Sequence, residues 1–338
     1  MKLADRVAQC HVPFSAQSLS TGKVDVLNNT ADCAEEVARC PMRFVLVDEL
    51  TRLCTSLAYS KGSATRDCAD LLRVPARLLW LEWCSHPWES ELAQYGFSAN
   101  SHNGAGRGRR GALLRASPDG RRGTVRTFWT NEVDGEALAS SVEAYFDFDT
   151  QDNEDPEPPD GDVRSLMRVV DQTHDGEDIL SRCFRFRYER SWQDYYDRAA
   201  LPIAQRTALD HHALGTIAIM IPVILAFLLL LGTRTGLRRQ TESFDRLNRA
   251  RAKMGKSPLL EHIEVSCPMM APYYDGTPDG TKTTRRTPRL HHVRGHLVRR
   301  GNQLFWRVPH VRGSARVGTV RARTVTWTVD PVSSFAEA

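Results

Sequence analysis

The sequence lacks any cysteine arrangement suited to metal binding. Its eight cysteines form no Cys-x-x-Cys pair and no cluster, which excludes the zinc motifs that are built from such pairs. They are also too sparse for the disulfide framework of a small secreted domain. We therefore expect no metal, no cofactor, and thiols that are reduced and mostly buried.

An apolar core of the signal-peptide kind is also missing from the first 25 residues, which favours a cytoplasmic location. No repeat of roughly 20 to 50 residues recurs, which excludes solenoids and propellers. The 338 residues, 41% hydrophobic and 25% charged, are typical of an ordinary folded protein with room for two domains.

Positive charge is scarce in the first part of the chain. Residues 1–211 hold 25 Lys and Arg against 33 Asp and Glu, a net charge of −8, whereas the remainder holds 20 against 8, a net charge of +12. Such asymmetry indicates either that the two parts attract one another or that the basic part meets an anionic partner.

One long apolar run, Ala213 to Gly232, contains no charged residue. As a helix at about 1.5 Å per residue it is long enough to span a bilayer. The basic residues that follow it would keep its C-terminal side in the cytoplasm, which would require about 210 residues with seven cysteines to be exported. The run is equally typical of a buried core helix with a kink or junction at Pro222, and both alternatives stay open.

The rest of the chain predicts an α+β protein with antiparallel hairpins packed on the long apolar helix. The N-terminal helical and antiparallel part covers residues 1–148, an acidic, Pro-rich linker covers 149–162, and the C-terminal part covers 163–338. Within these parts we expect helices over 44–58, 65–72, 177–198 and 242–254, a buried strand over 76–84, a hairpin around 117–120 and a strand over 142–148.

A basic hairpin is predicted over 289–311, because Gly301-Asn302 is a favourable turn between two runs of β-forming residues. That turn pairs residues whose numbers sum to 603, so alternation places Val293, Leu297, Leu304, Trp306 and Val308 on one face. The opposite face is basic and suggests an anionic partner. The predicted anion-binding residues are His292, Arg294, His296, Arg300 and Arg307, extended by Arg321 and Arg323 on a later strand.

Catalytic chemistry has little support in this pattern. His292 and His296 have the spacing of helical metal ligands, but Gly295 and the strand pattern oppose a helix and the nearby arginines would repel a cation. A His-dependent nuclease would need a second positioned group, which the sequence does not indicate. Glu82, the single acid of its strand, is expected to be paired or at an edge. We therefore expect no catalytic and no metal-ligating residues.

A resemblance rests on RLNRARAKMGKSPLLEH (246–262), followed after a loop by RTPRLHHVRGHLVRR and a tryptophan-bearing return strand. These segments resemble a family of uncharacterised phage and prophage proteins over residues 215–329, and more faintly over the LLWLEW strand. The resemblance implies no activity. It implies that the apolar helix belongs to a soluble fold, although this chain departs in the hydrophobicity of 217–231 and in an insertion over 268–285.

The leading hypothesis is a non-enzymatic, phage-type accessory protein that contacts DNA or RNA phosphates through the basic hairpin face. One alternative is a protein-binding or structural accessory whose charges are satisfied internally. Others are a single-pass membrane protein spanning 213–232 and a His-dependent nuclease.

Overall fold

The computed structural model describes residues 2–10, 15–17, 26–28, 30–59, 68–94, 108–130, 135–150, 167, 179–199, 202–233, 236–267, 289–293, 295–312 and 314–319. Its helices are α1 (Leu3–Ala8), α2 (Ala34–Arg39), α3 (Asp48–Tyr59), α4 (Ser85–Ala93), α5 (Ile179–Cys183), α6 (Arg190–Ala199), α7 (Ile203–Ala218), α8 (Ile221–Leu231) and α9 (Asp245–Lys253). Short 3-10 turns cover Thr30–Cys33 and Ala69–Leu71.

Strands form a large mixed sheet and a small antiparallel hairpin beside these helices, which confirms the predicted α+β class. They are β1 (Ser15–Gln17), β2 (Val26–Asn28), β3 (Met42–Leu46), β4 (Leu78–Cys84), β5 (Arg109–Ala116), β6 (Arg122–Thr130), β7 (Ala137–Asp147), β8 (Phe184–Tyr188), β9 (Arg238–Glu242), β10 (His262–Ser266), β11 (Arg289–Val293), β12 (His296–Arg300), β13 (Gln303–Arg307), β14 (His310–Arg312) and β15 (Ser314–Thr319).

An eight-stranded sheet in the order β8-β7-β6-β5-β4-β3-β10-β9 forms the centre of the fold. Strand β3 runs parallel to both β4 and β10, and the other neighbours are antiparallel. Strands from both sides of the predicted 149–162 linker belong to this sheet. Residues 151–162 of that linker lie outside the described residues, so the proposed division of the chain stays a prediction.

The antiparallel part of the sheet follows the predicted pattern. Strand β4 is the buried strand expected over 76–84, and β5 and β6 form the predicted hairpin. Their turn closes with a 2.9 Å hydrogen bond from the Gly120 amide to the Ser117 carbonyl, and Gly120 adopts a φ of 74°, which glycine tolerates without strain. Strand β7 covers the predicted third strand except for Phe148 and begins five residues earlier.

Two predicted helices were wrong in part. Residues 44–46 belong to β3 rather than to a helix over 44–58, and only the later residues form α3. Strand β3 has a parallel strand on each side, and such central strands read as continuous apolar runs without alternation. The predicted helix over 177–198 is divided by β8, whose sequence FRFRY alternates aromatic and basic residues with the period of a strand.

The apolar run forms the end of α7 and all of α8, with the break between them just before Pro222. Residues Val223 to Leu230 are all buried, and the Phe227 ring meets Phe44 of β3 edge-on at a centroid distance of 5.5 Å. Among the described residues, Ala213–Leu231 is long and apolar enough to cross a membrane. Of its most apolar 18-residue window, 61% is buried inside the fold.

Six of the eight cysteines are buried, as predicted, and none forms a disulfide within the described residues. Complete burial raises the pKa of the Cys54 thiol, because a thiolate would lose its hydration there. Cys10 and Cys84 are partly exposed.

Glu82 anchors α1 to the face of the sheet opposite the one that α8 covers. Its carboxylate is fully buried and accepts hydrogen bonds from the backbone amides of Leu3 and Ala4, each at 3.0 Å. It also accepts one from Trp80 Nε1 at 3.1 Å and one from Arg109 Nε. With four donors the charge is compensated, so Glu82 is a paired structural acid, as the sequence predicts.

We expect Glu82→Gln to lower the free energy of unfolding by about 3 kcal/mol, because Arg109 loses its counter-charge and an amide donor meets other donors. Equilibrium urea unfolding measures the effect. Glu35→Gln is the matched control, since the Glu35–Arg39 pair is largely exposed and should contribute less than about 1 kcal/mol. Equal small losses in both variants would contradict the anchoring role.

Candidate functional site

The C-terminal hairpin forms around Gly301-Asn302 in the predicted register. His296 pairs with Arg307, Leu297 with Trp306 and Val298 with Phe305. The same register continues past a break at Gly295 and Pro309, because β11 pairs with β14 and Val293 faces His310. Gly301 adopts a φ of 57°, a left-handed conformation that suits the turn. Side chains therefore alternate between two faces as predicted.

The apolar face of the hairpin is docked on the protein. Leu304 and Trp306 are 5% and 4% exposed and belong to the same hydrophobic core as α8. Leu297 and Val308 are partly buried against that core. The hairpin is therefore held by its apolar side chains.

Two glycines make room for the Trp306 side chain. A Cβ at Gly236 would lie 2.8 Å from Trp306 Cβ, and a Cβ at Gly295 would lie 2.6 Å from Trp306 Cζ2. Such distances are shorter than side-chain packing permits, so both positions need glycine. The contact also brings the hairpin against the residues that lead into β9. The sequence pattern indicated only that Gly295 opposes a helix, and this packing role was not predicted.

Arg299 adds an ion pair on the docked side. Its Nη1 and Nη2 atoms donate to the two carboxylate oxygens of Asp70 at 2.9 and 2.6 Å, and this hydrogen-bonded pair raises the pKa of Arg299. This contact was not predicted. The signal was present, because Arg299 shares its parity with Leu297 and so belongs to the face that packs inward.

The cationic face points away from the core. His296, Arg300 and Arg307 are all exposed, and the Arg300 guanidinium lies 5.7 Å from the centre of the Phe305 ring, within cation–π range. His292 lies in β11, but its side chain lies outside the described residues. Arg294, Arg321 and Arg323 lie outside them altogether, so their part in the surface stays a prediction.

Ion pairs are distributed unevenly along the chain. Within residues 1–211, arginines on the sheet meet acids: Arg115 pairs with Glu36 and Glu143, and Arg187 also pairs with Glu143. Beyond residue 237, within the described ranges, the Arg299–Asp70 contact is the one ion pair. Neither Arg300 nor Arg307 meets a carboxylate in the part of the chain that the structure describes. Most of the described basic C-terminal residues are therefore not neutralised by acids.

A comparison with known proteins found no match. No protein-family model, curated protein or solved structure matches the chain.

We expect Trp306→Ala to lower the free energy of unfolding by about 3 kcal/mol, because it leaves a cavity between the hairpin and the core. Phe305→Ala, one residue away on the other face, should cost less than about 1 kcal/mol. Urea unfolding of the two variants measures the difference. If Phe305 proved as costly as Trp306, the assigned faces of the hairpin would be wrong.

Proposed function

We propose that this protein is a non-enzymatic accessory of phage type that contacts the phosphate backbone of nucleic acid through the cationic face of its hairpin. The observation that carries the proposal is the outward position of Arg300 and Arg307 on a hairpin whose other face is docked. Arg300 and Arg307 share this face at opposite ends of the β12–β13 ladder. Two cations without a carboxylate partner among the described residues attract a polyanion. Nucleic-acid contact also fits a location in the host cytoplasm.

Phosphates suit this surface better than bases do. Arginine guanidinium groups bind phosphate through two parallel hydrogen bonds. Phe305 is the aromatic residue on this face among the described residues, and Arg300 already covers its ring, which leaves little surface for base stacking. We therefore infer binding that depends weakly on sequence and strongly on salt.

Internal neutralisation of the charges is the main competing explanation. It accounts for Arg299, which pairs with Asp70, but Arg299 lies on the docked face. On the cationic face, neither Arg300 nor Arg307 has such a pair among the described residues. The buried state of α8 favours an accessory protein over a single-pass membrane protein, because the core loses Val223 to Leu230 if that helix leaves the fold.

Binding of a short mixed-sequence DNA duplex tests the proposal. We expect Arg300→Gln with Arg307→Gln to weaken binding and to make the slope of log K against log salt less negative by about 1.8, the value for two lost phosphate contacts. Fluorescence anisotropy between about 50 and 200 mM salt measures both quantities.

A charge-matched control separates this surface from net charge. Arg39→Gln with Arg206→Gln removes the same two charges from side chains that pair with Glu35 and Asp197. This control should keep the wild-type slope. Duplex binding that is absent, insensitive to salt, or equally weakened in both double variants would reject the proposal.

A further inference from the structure

A second cationic surface lies where the eight-stranded sheet ends. Residues 238–260 contain seven Lys or Arg against two acids, Glu242 and Asp245, a net charge of +5. None of these seven cations forms an ion pair with a carboxylate within the described ranges. The seven are Arg238, Arg239, Arg246, Arg249, Arg251, Lys253 and Lys256.

Strand β9 and helix α9 build this surface. Strand β9 is the edge strand of the sheet, and Arg238 and Arg239 on it are exposed. Helix α9 follows after two residues and buries none of its side chains. Leu247 on the helix and Met254 just after it are 47% and 61% exposed. The helix predicted over 242–254 is confirmed over Asp245–Lys253, whereas Glu242 belongs to β9.

One side of α9 is fixed by the segment that follows it. Asn248 Nδ2 donates to the Leu259 carbonyl at 2.9 Å, and its Oδ1 accepts from the Leu259 amide at 2.8 Å. Arg251 Nε donates to the Ser257 carbonyl at 2.8 Å. Gly255, with a φ of 65°, ends the helix and reverses the chain. These contacts hold the helix by its Asn248 and Arg251 side.

The opposite side of α9 carries a row of cations. At 100° per residue, Arg246, Arg249 and Lys253 lie within a narrow sector that points away from Asn248 and Arg251. All three are exposed. We call these three residues the α9 row. A groove of about 540 Å³ runs beside it, lined by Asp245, Asn248, Arg249, Ala252, Lys256 and Pro258.

We propose that the α9 row binds the phosphate backbone of a nucleic-acid duplex. The row extends about 10 Å along the helix, which covers on the order of three phosphate steps of one strand. Its residues are pre-positioned, because the helix is anchored on its other side. The proposal rests on the proposed function for its ligand class, but it uses residues separate from the hairpin.

An anionic lipid surface fits the helix less well. A helix that lies in a membrane interface presents a broad face of large apolar side chains with its cations beside it. The α9 row is the centre of the exposed side, and the two large apolar side chains, Leu247 and Met254, lie to one flank of it. One such side chain on the nine-residue helix and one just after it supply little area for insertion. Charge complementarity therefore favours the rigid polyanion.

The test uses the full chain with Arg246→Gln, Arg249→Gln and Lys253→Gln combined, since glutamine keeps helix propensity. We expect affinity for a mixed-sequence DNA duplex to fall at least about tenfold near 0.1 M salt, and the log–log salt slope to become less negative by about 2.7. The conservative variant Arg246→Lys, Arg249→Lys, Lys253→Arg should keep most of the affinity. Far-UV circular dichroism and urea unfolding confirm that each variant folds.

The outcomes separate the two cationic surfaces. Loss of duplex binding in the α9 triple variant supports this inference whatever the hairpin variant does. Unchanged binding in the α9 variant, with loss in the hairpin variant, overturns the inference and leaves the proposed function intact. Vesicles of anionic phospholipid are the second probe. Vesicle binding that the α9 substitutions abolish, with duplex binding unaffected, would overturn the inference in favour of a lipid surface.

Discussion

The seating of Trp306 in the core determines which side of the C-terminal hairpin meets water. A strand has two faces, and once the Trp306 ring lies against Gly236 and Gly295 the alternate residues have to point outward. A shift of the register by one residue would bury Arg307 in place of Trp306, at a large desolvation cost. The Arg299–Asp70 ion pair on the docked face is consistent with the same register. The exposed cations therefore result from hydrophobic packing on the other side.

The unequal charge of the chain has a structural counterpart. The acidic part neutralises its own arginines, as the network of Arg115, Glu36, Glu143 and Arg187 shows. It supplies one described carboxylate, Asp70, to the cations that follow residue 237. Arg300, Arg307 and the α9 row therefore have no carboxylate partner among the described residues. The two parts share a single sheet, so this separation of charge exists within one sheet.

Local signals in the sequence predicted the structure correctly where a single residue pattern determines it. The turn at Gly301-Asn302 and the alternation around it predicted the hairpin register and both of its faces. Strand β3 was missed because it is buried between two parallel strands, and a short apolar run does not distinguish a central strand from a helix. Arg299 was missed because its partner Asp70 lies 229 residues away along the chain. Helix α9 was predicted correctly, but nothing local indicated that its apolar residues face solvent.

Arginine modification with phenylglyoxal, read by mass spectrometry in the free and duplex-bound protein, tests the central claim most directly. The account predicts that duplex protects Arg300 and Arg307 from modification, whereas the reactivity of Arg299, held by Asp70 on the docked face, stays unchanged. Equal reactivity of Arg300 and Arg307 with and without duplex, or protection of Arg299 alone, would contradict it.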